Sequence, residues 1–120
     1  MSHIVEIQTK VHDPIAVASA CRRLNLPAPV VGSATLFSGA VNGLIVQLPG
    51  WQYPCVVEPL TGTIRYDNFG GQWGDEKQLH RFLQTYAVEK ARQEARHKGY
   101  QVTESTLQDG SIKLRIVEGQ

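Results

Sequence analysis

The chain has 120 residues, 42% of them hydrophobic and 19% charged, with twelve Lys and Arg against eleven Asp and Glu for a formal net charge of +1. That is the length of one domain with a core of its own, and the composition excludes a disordered chain. The near-zero charge excludes a global field that would draw the protein to nucleic acid or anionic lipid. Cys21 and Cys55 lie far apart among apolar neighbours, without C-x-x-C or H-x-x-x-H spacing. Buried free thiols are therefore expected, rather than a disulfide or a metal site. The longest apolar runs fall well short of the roughly 20 residues of a membrane span. The start, "MSHIVEIQTK", lacks the basic-then-apolar layout of a signal peptide. A cytoplasmic protein without a membrane partner is expected.

Val5, Ile7, Thr9 and Val11 alternate with Glu6, Gln8 and Lys10, the period of a half-buried strand. Asp13 then caps a helix with Pro14 at its first position, where the missing N–H costs nothing. Val17, Ala20, Cys21 and Leu24 share one face of it, and Arg22 and Arg23 favour its C-terminal end. Residues 30–67 read as β structure broken by turns. A short strand is expected at "ATLF", a clearer one in "GLIVQLPG", and two joined at Thr61-Gly62 in "PCVVEPLTGTIRYD". Pro54 and Pro59 lack ladder donors and point to strand ends or an edge strand.

The main helix is predicted from about Asp75 to Lys98. Asp75 is its N-cap, Gln78 is placed to bond back in a capping box, and Gly99 is the left-handed stop. Leu79, Phe82, Leu83, Tyr86, Val88 or the Lys90 stem, Ala91 and Ala95 form the apolar stripe, and Glu94 and Lys98 stand four apart in the favourable order. A hairpin around Asp109-Gly110 closes the chain. A two-residue loop there would pair Leu107 with Ile112, Ser105 with Leu114 and Thr103 with Ile116, which leaves Tyr100 and Val102 on the opposite face. A bulge near residues 103–106 would reconcile the two. The sum is a single α+β domain spanning residues 1–120: a mainly antiparallel sheet, two helices packed on one face, and a C-terminal β-hairpin.

Several strings together resemble a known family: the "MSH" start before an alternating strand, "RFLQTYAVEKA" in the long helix, and "GYQVTESTLQDGSIKLRI" at the end. They are similar to a family of conserved hypothetical proteins of cyanobacteria, plastids and other bacteria (the plastid ycf type, domain of unknown function 1257). The likeness lies mostly in the C-terminal half. It implies a small soluble domain and transfers no catalytic residue.

No nucleophile–base pair or carboxylate pair stands out, so no catalytic residue and no cofactor is expected. His80 and His97 fall off the apolar stripe of the long helix and read as solvated. His12 belongs to the turn before Asp13, and His3 shares the parity of Val5 and Ile7 and should lie at the core edge. Residues 81–98 carry Arg81, Lys90, Arg92, Arg96 and Lys98 against Glu89 and Glu94. This interleaving is that of a solvated helix rather than a phosphate-tracking one.

The aromatic group Trp51, Tyr53, Tyr66, Phe69 and Trp73 is the best functional candidate. Both tryptophans sit in loops, "PGWQYP" and "GGQWGD", where a large ring must be covered or presented. The binding candidates are Trp51, Tyr53, Tyr66, Asp67, Asn68 and Trp73. The expected function is a non-enzymatic binding or assembly module that docks a protein partner, or itself, through these loops and a sheet edge. A small-ligand or cofactor-binding protein with a pocket around residues 66–73 is the alternative. Nucleic-acid binding through the helix comes third.

Overall fold

The computed structural model describes residues 3–118 and opens with strand β1 (Val5–Gln8). Asp13 then caps helix α1 (Pro14–Arg23), its Oδ1 accepting from the amides of Ile15 (2.9 Å) and Ala16 (3.4 Å). The helix closes on Asn25, which is left-handed at φ 58. The amides of Asn25 and Leu26 bond back to Arg22 O and Cys21 O, a Schellman arrangement without glycine. Strands β2 (Val30–Leu36), β3 (Gly39–Val46), β4 (Cys55–Glu58) and β5 (Thr63–Tyr66) follow. They join β1 in one antiparallel sheet of order β1-β5-β4-β3-β2. Pro54 and Pro59 bracket β4, so they mark the ends of a central strand and not an edge.

Helix α2 (Glu76–His97) carries Asp75 as its N-cap, with Oδ1 accepting from Lys77 N at 2.9 Å. Among the described residues Gln78 makes no side-chain bond back, so the capping box does not form. Gly99 (φ 75) ends the helix, and Tyr100 N donates to Ala95 O at 2.8 Å. Glu94 pairs with Lys90 rather than Lys98. Both helices lie on one sheet face. Ala16, Val17, Ala20 and Cys21 of α1 and Leu79, Phe82 and Tyr86 of α2 enclose Leu44, Val46, Cys55, Val57, Ile64 and Tyr66. The register places those sheet residues on a single face. Both thiols are free and buried, and burial pushes Cys55 up to about 12.

The C-terminal hairpin of β6 (Gln101–Thr106) and β7 (Ile112–Val117) is a separate two-stranded sheet. Its ladder is regular, pairing Thr106 with Ile112, Glu104 with Leu114 and Val102 with Ile116. The extra residue is at the turn and not at 103–106. Gly110 is left-handed (φ 86), Gly110 N bonds to Leu107 O, and Leu107 N bonds to Ser111 O, which makes a bulge beside a tight turn. That one-residue offset brings Val102, Ile112, Leu114 and Ile116 to the same face. Glu104 ties the hairpin down, accepting from Arg23 of α1 (2.5 Å) and Arg92 of α2 (2.7 Å). Glu89 completes the four-charge group.

Candidate functional site

β2 is longer than the expected "ATLF" strand, and the β2–β3 arm outgrows the four-residue β4 beside it. At Gly43 an added Cβ would lie 2.6 Å from Val57 O, so the bare backbone of β3 closes directly on β4. Further out, the tip of the arm reaches the loop that follows β5, although β5 is three strands away. Ser38 Oγ donates to Asp67 Oδ2 at 3.4 Å, and the Phe37 ring lies 5.1 Å from Trp73.

Three loops therefore converge on Trp73. Phe37 comes from the β2–β3 turn, Tyr53 (5.5 Å) from the β3–β4 loop, and Phe69 (4.8 Å, stacked at 29°) from the β5–α2 loop. Phe69 holds its place with a left-handed backbone at φ 48, an unfavourable conformation for an aromatic residue. The half-buried indole is a hub, with its neighbours in van der Waals contact around it.

Trp51 has a different environment. Its ring is buried and lies flat on Gly74, where an added Cβ would fall 2.3 Å from Cδ2. Its Nε1–H donates to Asp75 O at 3.0 Å, and Tyr66 meets it edge-on at 5.5 Å. Burial, assisted by the charge of Glu76, pushes the Tyr66 phenol up. Gln52 N donates to Trp73 O at 2.8 Å, which locks the two tryptophan loops together.

Asp67 and Asn68 are buried inside this joint. Asp67 Oδ1 accepts from Phe69 N at 3.3 Å. Asn68 Nδ2 donates to Gly74 O at 3.1 Å, while the Asn68 backbone carbonyl accepts from the amides of Gly71 and Trp73. Both side chains thus bond to the loop's own backbone, and Asp67 also accepts from Ser38. The six sequence candidates do come together, and with Phe37 they form a packed aromatic joint at one end of the sheet.

Phe37 was hidden inside what reads as a strand, and it is 60% exposed. Val30 (60% exposed) and Val31 (81% exposed) stand at the opposite end of β2. β2 is the outer strand of the sheet, with β3 as its sheet neighbour. The other open edges are blunted. β1 has only four residues and carries Glu6, which is paired with Arg65, while β6 carries Glu104 and β7 carries Lys113 and Arg115. β2, "VVGSATL", has no charge and no proline.

A separate cavity of about 410 Å³ lies between the β1–α1 connection and α2, lined by Val11, Leu83, Tyr86, Ala87 and Ala91, with Lys10, Lys90 and Glu94 at its mouth. The Tyr86 hydroxyl beside it accepts from the amides of His12 (3.3 Å) and Asp13 (3.2 Å). On α2, Lys90 is engaged by Asp13 and Glu94, and Arg92 by Glu89 and Glu104. His80 and His97 are exposed, and so is His3, which lies ahead of β1 rather than within it. His12 Nδ1–H donates to Pro59 O at 2.8 Å. Among the described residues no three His, Cys, Asp or Glu side chains converge as a metal site, and no helix is long and apolar enough to cross a membrane. Comparison of the chain with protein families, curated proteins and solved structures finds no match.

Proposed function

We propose that the protein is a non-enzymatic docking module whose working surface is the outer edge of β2 with the aromatic joint at its end. The observation that carries this reading is the state of that edge: a seven-residue strand without charge or proline, opening on exposed Val30 and Val31 and followed by exposed Phe37. Folded domains normally blunt such an edge, because its free N–H and C=O groups template another strand. An incoming extended segment would take its affinity from main-chain bonds and its specificity from the side chains beside Val31 and Phe37. Trp51, Tyr53, Tyr66, Asp67, Asn68 and Trp73 support that surface by fixing the hairpin tip that carries Phe37. In this proposal the likeness to the plastid ycf-type family supplies a setting and no chemistry.

The test is affinity purification from the native cell with two baits, the natural chain and the double variant Val31→Lys with Thr35→Lys. Both positions are exposed, so the variant keeps the fold while charging the edge. Partners retained by the natural chain and lost by the variant are expected, and identical partner sets would refute the reading.

A small-ligand function finds its support away from the tryptophans, in the 410 Å³ cavity against α2, a volume in the range of small-molecule sites. Thermal-shift screening with metabolites tests it. A ligand at about 100 times its Kd adds roughly 2.7 kcal/mol, and the absence of any shift counts against it.

A further inference from the structure

The partner strand for β2 has a chemistry that can be read from β2 itself. In an antiparallel ladder, residues alternate between pairs that exchange both N–H···O bonds and pairs that exchange none. The β2–β3 turn consists of Phe37 and Ser38 alone, closed by the pair Leu36–Gly39. A two-residue turn leaves no room for bonds inside its closing pair, so that pair must itself be a bonded one. Counting back in steps of two, Ala34, Gly32 and Val30 also direct their amides and carbonyls to β3. Val31, Ser33 and Thr35 direct theirs outward.

We infer that the occupant of this edge is the β2 strand of a second copy of the same chain, running antiparallel about a two-fold axis at Ser33. This deepens the docking function proposed above and rests on it. The axis pairs Ser33 with itself, Val31 with Thr35 of the second copy and Thr35 with Val31. These are the three outward-facing residues, and each such pair exchanges two N–H···O bonds. The intervening pairs match in size, small against small for Gly32 with Ala34 and large against large for Val30 with Leu36. Exposed Val30 is thereby covered, and Phe37 comes beside Pro29 of the second copy. A two-fold contact sets every charge near its own copy, and β2 carries none to repel. The other open edges of the described residues each carry charge, so the same operation is disfavoured there. The outcome is one continuous sheet through both chains.

The register makes the test specific. The natural chain should run in light-scattering chromatography with the mass of two 13.3 kDa chains. The double variant Val31→Lys with Thr35→Lys places like charges opposite each other across the axis, as does Val31→Glu with Thr35→Glu. Each alone should be monomeric with an unchanged circular dichroism spectrum. Mixed, they should form a one-to-one heterodimer that dissociates at high salt. A monomeric natural chain at all concentrations, or a charged variant that still dimerises by itself, overturns the inference. If the natural chain is monomeric yet captures another protein that the lysine variant loses, the self-pairing falls and the docking function of the edge stands. If neither occurs, both fall.

Discussion

At the scale of single residues, the glycines of "YDNFGGQWGD" have two different causes: Gly70 (φ 62) and Gly71 (φ 101) take left-handed backbone, and Gly74 meets a ring. Gly74 is required because Trp51 lies flat on it. Gly74→Ala should destabilise the fold by about 1–3 kcal/mol, the usual cost of overpacking, measured by urea denaturation. Alanine behaving like glycine there would mean that the indole is not seated on this backbone. Trp73 unites rings from three loops but is only half-buried. Trp73→Ala should therefore cost about 3 kcal/mol, the low end of buried tryptophan truncations. It should also release Phe37 and Tyr53, seen as loss of near-ultraviolet circular dichroism beyond that of one indole. A signal that falls only by the share of one ring would contradict the hub. The glycines and the Asp-Asn pair signalled a turn from the sequence, but nothing there signalled the full ring cluster, since two of the rings on Trp73 come from distant loops, Phe37 and Tyr53.

At the scale of elements, charge fixes what the small core does not. Asp13 both caps α1 and receives Lys90 (2.9 Å) and Gln93 (2.7 Å) from α2, joining the helices at that end. Glu104 joins the hairpin to both helices at the other. The Arg23 hydrogen bond outweighs burial, the next largest effect, and together with the charges of Arg23 and Arg92 it holds the Glu104 carboxyl below its ordinary 4.5. The Lys90 bond does the same for Asp13 below 3.8. Folded values lower than unfolded ones mean that this stabilisation is complete above the unfolded values and is lost as pH falls through the folded ones. The melting temperature should be level above about pH 5 and decline below about pH 4. Glu104→Gln should lower it at neutral pH and make the acid decline shallower. A parallel decline in both proteins would show that Glu104 is not a titrating tie.

Local rules were sufficient for these elements wherever cause and effect were close in sequence, as with Asp13-Pro14, Gly99 and the proline-bracketed β4. They failed where a partner was distant. Gln78 had the capping-box spacing without forming the bond. The hairpin offset was legible from the misplaced Val102, yet its seat at Gly110 depended on the choice of turn. The full length of β2 was obscured by Gly32 and Ser33, poor strand formers that become acceptable once paired with Gly43 and Asn42 of β3.

At the scale of the whole molecule, the sheet has two unlike ends of strand order. The β1 edge is short and charged, whereas the β2 edge is long and uncharged. Sequence alone reveals aromatic loops but not which strand is outermost, because strand order is set by long-range pairing. In the proposed docking function the tryptophan joint is the support, and the working surface is the outer edge of β2. The most direct measurement of that claim is photo-crosslinking in the native cell, with a photoreactive amino acid placed at Val31 and, separately, at Leu60. Leu60 is 92% exposed in the β4–β5 turn and lies outside the proposed surface. Defined adducts from position 31, to a second copy or another protein, that are missing from position 60 are the expected result. No adduct at 31, or the same adducts from both positions, would contradict the account.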